Sequence, residues 1–184
     1  MPIANCKIHP SVKIWHPELV NIYDSSIGEG CTVAAFVEIG GAKIGKNCKI
    51  GTQTYICPGT VIGDYSFVSH GARFCNVKEP RAVRSQKDKL IGATVGYGAT
   101  IGAGAIIMPG IIIGERAFVG SGAVVTKSVE SGITVVGNPA RPLKYYAREC
   151  KYFHSGPLGM WCGCSADGSI DCKCGDYESW LSQK

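Results

Sequence analysis

One stretch of this chain combines a run of cations with an imidazole at its edge. His70 stands just before it, and inside it Lys78, Arg81, Arg84, Lys87 and Lys89 face only Glu79 and Asp88. An imidazole titrates near neutral pH and could act as a general base. The cations suit a phosphorylated small ligand. His9 and His16, near the start of the chain, read as structural. A second group lies near the end: Cys162 and Cys164, then Cys172 and Cys174, two Cys-x-Cys pairs with seven residues between them. Four thiolates on a short hairpin can close a tetrahedral structural zinc site, and a tail this small needs such a staple to fold. The spacing within each pair is tighter than zinc sites usually show, so disulfides or a reduced, metal-free tail stand as alternatives.

What positions these groups is a repeat. Apolar residues recur every six positions as Ile44, Ile50, Ile56, Ile62, Val68 and Phe74, and again as Val95, Ile101, Ile107, Ile113, Val119 and Val125. Shorter runs stand upstream: Ile8, Ile14 and Val20, then Ile27, Val33 and Ile39. Neither a helix nor a simple strand has that period. A fixed short repeat instead predicts stacked turns, an all-β solenoid of the hexapeptide β-helix kind. The apolar residue fills a narrow prism. A slim one four positions on (Cys48, Thr54, Thr60, Ser66, Ala72) fits where walls converge, and the Gly that follows many rungs, as at Gly45, Gly51 and Gly63, supplies corner conformations. Three hexads per triangular turn predict about six turns, a tower of roughly 30 Å at the usual strand spacing.

Single-residue slips at Asn21–Ser26 and near Gly41 and Ala42 are of a kind that corner bulges absorb. Between Cys75 and Thr94 the pattern stops and then resumes unchanged, so residues 75–94 must leave the wall and return as one projecting loop. Long ordered loops on a solenoid usually carry function. Strand alternation after the inward Val68 turns His70 outward beside this loop. The division expected is a β-helix over 1–142, then 143–184 with a helix from Leu143 to Phe153, started by Pro142 and capping the last turn, and the Cys-rich tail.

Composition narrows the classes. With 184 residues, a net charge of +5 and cations spread along the chain, a nucleic-acid footprint is not expected. No apolar stretch is long enough for a membrane span, and the start lacks the layout of a secretion signal. Ten cysteines without such a signal point to reduced thiols or metal, and to the cytoplasm.

The hexads, the single excursion and the tail Val136-Gly137-Asn138-Pro139-Ala140-Arg141 together resemble the left-handed β-helix acyltransferases. The segment Phe74-Cys75-Asn76-Val77-Lys78-Glu79-Pro80-Arg81 is more specific. It resembles the Phe-Thr-Asn-x-x-x-Pro-Arg stretch of nucleotide-linked amino-sugar N-acetyltransferases, which acetylate the 3-amino group of UDP- or dTDP-linked sugars. The similarity runs over about residues 3–148. It implies left-handedness, a homotrimer, and acetyl-CoA lying between neighbouring towers. It also implies a nucleotide-linked amino sugar as acceptor, in surface polysaccharide (lipopolysaccharide) biosynthesis. Asn76 matches the family Asn, and its carbonyl could hold the acceptor amine; an Asn that merely shapes the start of the loop is the alternative. Arg81 matches the family Pro-Arg. Arg84, Lys87 and Lys89 could meet a diphosphate or a uronate carboxylate, in a loop shorter than in similar enzymes. For coenzyme A the candidates are Arg141, Lys127 and Lys144 toward phosphates, and backbone groups at Ala105 and Gly120 toward the pantetheine arm. The family position aligned with His70 is usually not His, so a base there rests on residue chemistry alone.

Three other readings stay open. An O-acetyltransferase of serine or a sugar hydroxyl would need a base more than an amine acceptor does. A γ-type carbonic anhydrase would need three imidazoles around a metal, whereas the repeats hold one outward His. A non-catalytic scaffold would leave the loop and Arg141 without a purpose.

Overall fold

The computed structural model describes residues 3–82 and 90–143. Over them the chain is an all-β parallel solenoid whose three walls are stacks of very short strands. The first wall stacks Ile3–Ala4, Asn21–Tyr23, Glu38–Gly40, Tyr55–Ile56, Arg73–Phe74, Ile106–Ile107 and Val124–Val125. The second stacks Lys7–Ile8, Ser26–Ile27, Lys43–Ile44, Val61–Ile62, Thr94–Val95 and Ile112–Ile113. The third stacks Lys13–Ile14, Thr32–Val33, Lys49–Ile50, Phe67–Val68, Thr100–Ile101, Phe118–Val119 and Thr134–Val136. Arg141–Pro142 then folds back antiparallel on Thr134–Val136 and closes that wall. The only helix here is a 3-10 turn at Pro17–Leu19, and none of the described helices is long and apolar enough to cross a membrane.

The rungs from Ile22 onward bury their apolar residues, while Ile3, Ile8 and Ile14 of the first turn are half-buried. Ile22, Ile39, Ile56, Phe74 and Ile107 stack in strict register on the first wall, and all are fully buried. The slim residues expected between rungs lie inside as well, including Cys48, Thr54, Thr60, Ser66 and Ala72. Their polar atoms are paired, Thr54 with the carbonyls of Gly51 and Ser69 and Thr60 with the Cys57 thiol, so burial leaves none of the described ones without a partner.

Three expectations are corrected. There are about seven turns rather than six, because Ile3 begins a rung and Val129 and Val135 complete a last one that the hexads do not show. Val20 is not a rung. The turn at Pro17–Leu19 lengthens that corner, so Ile22 takes the rung position and Val20 fills the slim slot two residues before it. Finally, the Gly that follows many of the rungs does not supply the corner's left-handed residue. Two places later, positive φ occurs at Asn47, Gln53, Tyr65 and Arg116 as well as at Gly30, Gly98, Gly104 and Gly122. The first glycine is needed for closeness: a Cβ on Gly63 would lie 2.9 Å from the backbone of Gly96 and Tyr97, one rung on.

The tower unit runs Met1–Leu143, and Lys144–Lys184 forms a separate unit. The expected cap helix beyond Leu143, Lys144 and the four tail cysteines all lie outside the described residues, as do Arg84, Lys87 and Lys89 in the loop. Cys6, Cys31, Cys48, Cys57 and Cys75 are free thiols.

Candidate functional site

The excursion begins in one corner. Between the first and second walls the turn above reads Cys57-Pro58-Gly59-Thr60 and the turn below Met108-Pro109-Gly110-Ile111. In the turn between them Asn76 holds the proline position and Gly92 the glycine position, with residues 77–91 inserted. Cys75 still bonds to the wall through its N–H to Ile107 O (2.9 Å), and Ala93 is fully buried. The loop is therefore narrower at its base than the 75–94 expected.

Asn76 fastens this neck from both sides. Its side-chain Nδ2 donates to Pro58 O (3.1 Å), one rung above, and its backbone carbonyl accepts from Ile91 N–H (2.9 Å) across the neck. The side chain is half-buried. With one N–H of the amide directed at Pro58, Oδ1 is the atom that can accept from an amine. Gly92 was not picked out by the sequence reading, although the Pro-Gly steps in phase at 58–59 and 109–110 signal it. A Cβ there would run into the Gly59–Thr60 backbone. Gly92→Ala is expected to cost about 3 kcal/mol in a denaturant titration, because backbone cannot move aside. Gly104→Ala, where a Cβ meets open space at φ +65, should cost about 1 kcal/mol for its conformation alone. Beside Asn76, burial pushes the Cys75 thiol up, as it does Cys57, so neither is poised as a nucleophile.

His70 occupies a different corner, between the third and first walls. It is exposed, and its Nδ1 accepts a hydrogen bond from Thr52 N–H (3.1 Å) in the rung above. Beneath it the corner carries only small residues, Gly102-Ala103-Gly104 and then Gly120-Ser121-Gly122. Successive corners are tied through Gly104 N–H to His70 O (2.8 Å) and Gly122 N–H to Ala103 O (2.7 Å). No described atom lies within 4 Å of the Cβ position at either Gly104 or Gly122, which leaves an open stripe down the edge. At its foot stands Arg141, exposed, with Nη1 donating to Ala140 O (2.9 Å).

The structure thus sorts the candidates by corner. His70, Ala105, Gly120 and Arg141 share one; Asn76, Arg81 and Lys127 belong to the other. Ala105 and Gly120 are buried, and their N–H groups already donate to Gly102 O and Val135 O, which leaves carbonyl lone pairs as all they could give a ligand. Lys127 and Arg81 are exposed. His70 and Asn76 are six residues apart along an extended wall, roughly 15–20 Å. Reacting atoms must approach to about 3.5 Å. One chain alone does not bring the two together. His9 and His16 bond locally, to Ser11 (2.8 Å) and Glu18 (3.3 Å), in keeping with structural roles.

The fold recurs in solved structures. The acetyltransferase domain of PglB from Neisseria gonorrhoeae matches with a TM-score of 0.56 and 24% identity, over 75% of this chain and 57% of that one. This chain thus spans little more than half of that domain's length. AntD, an N-acyltransferase from Bacillus cereus in complex with dTDP and 3-hydroxybutyryl-CoA, matches with a TM-score of 0.57 and 21% identity, over 79% and 83%. A mutant of AntD with dTDP-4-amino-4,6-dideoxyglucose and coenzyme A gives 0.59 and 22%, over 79% and 82%. No curated protein sequence matches the chain. Residues 41–76 and 92–127, the two stretches on either side of the loop, match the family profile described as bacterial transferase hexapeptide (six repeats).

Proposed function

We propose that this protein is an acetyl-CoA-dependent N-acetyltransferase that acetylates the 3-amino group of a UDP- or dTDP-linked sugar, working as a homotrimer in the cytoplasm. The observation that carries this reading is the divided corner. A regular wall opens once, at Asn76, whose side-chain Nδ2 is held by Pro58 O and whose backbone carbonyl is held by Ile91 N–H, with the side-chain Oδ1 left to position an amine. Orienting two bound reactants can supply several kcal/mol of the barrier, and a rigid wall suits that task. The open stripe from His70 to Arg141 offers a bed for an extended acyl carrier with its phosphates at the guanidinium. AntD's ligands, a dTDP-linked 4-amino sugar in one structure and 3-hydroxybutyryl-CoA in another, belong to the same broad classes of acceptor and donor, and enter here on likeness of fold.

A trimer reconciles the two corners. Val61 and Ile112 on the second wall and Phe67 and Phe118 on the third are exposed apolar side chains on adjacent faces. Packing the second wall of one copy beside the third wall of the next buries them. It also sets the Asn76 corner of one copy toward the His70 corner of its neighbour. Arg81, with Arg84, Lys87 and Lys89, would then meet the diphosphate.

The test is a panel of UDP- and dTDP-linked 3-amino and 4-amino sugars incubated with acetyl-CoA, with products read by mass spectrometry. Turnover of a 3-amino member is expected; absence of any acetylated amine across the panel overturns the reading. For the tail, elemental analysis of freshly purified protein should find about one zinc per chain, bound by Cys162, Cys164, Cys172 and Cys174.

A further inference from the structure

The nitrogen that His70 shows to solvent is not set up as a base. Its ring lies against the backbone of the preceding rung, where Thr52 N–H donates to Nδ1 at 3.1 Å. The fit depends on Gly51, since a Cβ there would stand 3.0 Å from the same Nδ1. A nitrogen that accepts from a backbone N–H must keep its lone pair, so in the neutral ring the proton sits on the other nitrogen, Nε2. A histidine base needs the reverse tautomer, with its exposed nitrogen bare and the inner N–H donating to a carboxylate or carbonyl. Here that tautomer would set N–H against N–H.

The surroundings agree. The partner that holds Nδ1 is Thr52 N–H, and the ion pair at a histidine lies elsewhere, between His16 and Glu18. The charged residues on the flanking strands are Lys49 on the third wall, one rung above, and Arg73 on the first, three residues on. Both are cations, and neither would draw a proton onto Nδ1.

On the acyl-transfer reading above, we infer that His70 works as a neutral hydrogen-bond donor. Its Nε2–H stabilises the oxyanion that forms on the thioester carbonyl. The amine nitrogen attacks the carbonyl carbon, the C–S bond breaks, and the departing thiolate takes the proton that the nitrogen sheds. The products are an amide and a free thiol, and no protein base is consumed. A donor at this corner also explains why the ring is held by the backbone rather than left to rotate.

Two measurements test this. Long-range proton–nitrogen correlation spectra of histidine-labelled protein, with His70 assigned by its loss in His70→Gln, should show a pyridine-type Nδ1 and a pyrrole-type Nε2. The opposite tautomer overturns the inference, and this arm stands whether or not any acceptor sugar is found. In the transferase assay His70→Gln retains an N–H donor and lacks a base. It should stay within about tenfold of the natural enzyme in kcat/KM, while His70→Ala falls about a hundredfold. Equal losses in the two variants would overturn the donor role. If no variant or natural protein turns over any sugar, the functional reading fails and the spectra still decide the tautomer.

Discussion

Asn76→Ala and His70→Ala, each nearly inactive alone, are expected to restore activity when coexpressed. The reason is the width of the first wall, which keeps the two residues at opposite corners of a chain. If the reactive geometry forms between copies, a mixed trimer can pair the intact Asn76 corner of one chain with the intact His70 corner of another. Random mixing in a closed ring would rebuild about one site in four. Asn76→Ala by itself should lower kcat/KM about a hundredfold, since misplacing a reactant by an ångström costs that much. The readout is acetylated product from purified mixed oligomers against each variant alone. A mixture no more active than its parts would mean that each site is built within one chain, or that one of the two residues plays no part in it.

The second large effect is on stability. Among the described residues Phe74 is the bulkiest fully buried side chain, and it sits on the last rung before the loop departs. Replacing it with alanine should cost about 3–5 kcal/mol, the range for deleting a buried aromatic ring. The rungs on either side cannot close the void, because their spacing is fixed by hydrogen bonds such as Cys75 N–H to Ile107 O. Urea unfolding should show a lower midpoint. In a stack where each turn touches only its neighbours, the loss should strike the middle of the tower first. A change below about 1 kcal/mol would mean that the prism can collapse around the gap, contrary to the close packing expected of a protein interior.

How far the sequence could be read follows from where periodicity holds. From Ile27 to Val125 nearly every rung was visible, because a prism interior accepts one aliphatic residue per hexad and little else. Where a corner changes length, the count fails. Pro17–Leu19 shifted the rung from Val20 to Ile22, and the last turn, with Val129 and Val135 out of step, escaped notice. The loop itself was plain, since an interrupted repeat must leave and return. Its anchor is legible in part: a family resemblance points to Asn76, whereas Gly92 stands out only against the Pro-Gly corners at 58–59 and 109–110, of which its own is a split copy. The His70 tautomer could not be read at all, because the Thr52 N–H that fixes it lies eighteen residues away along the chain, one coil above.

The stacking carries a consequence of its own. Because each coil advances the chain by about 4.8 Å, the tower is graduated, and any two marks on one edge stand a whole number of steps apart. Duplicating a single coil below His70 would move Arg141 one graduation farther off and leave every other contact intact. Length discrimination among acyl carriers could thus evolve by copying one coil at a time, with no need to rebuild a pocket.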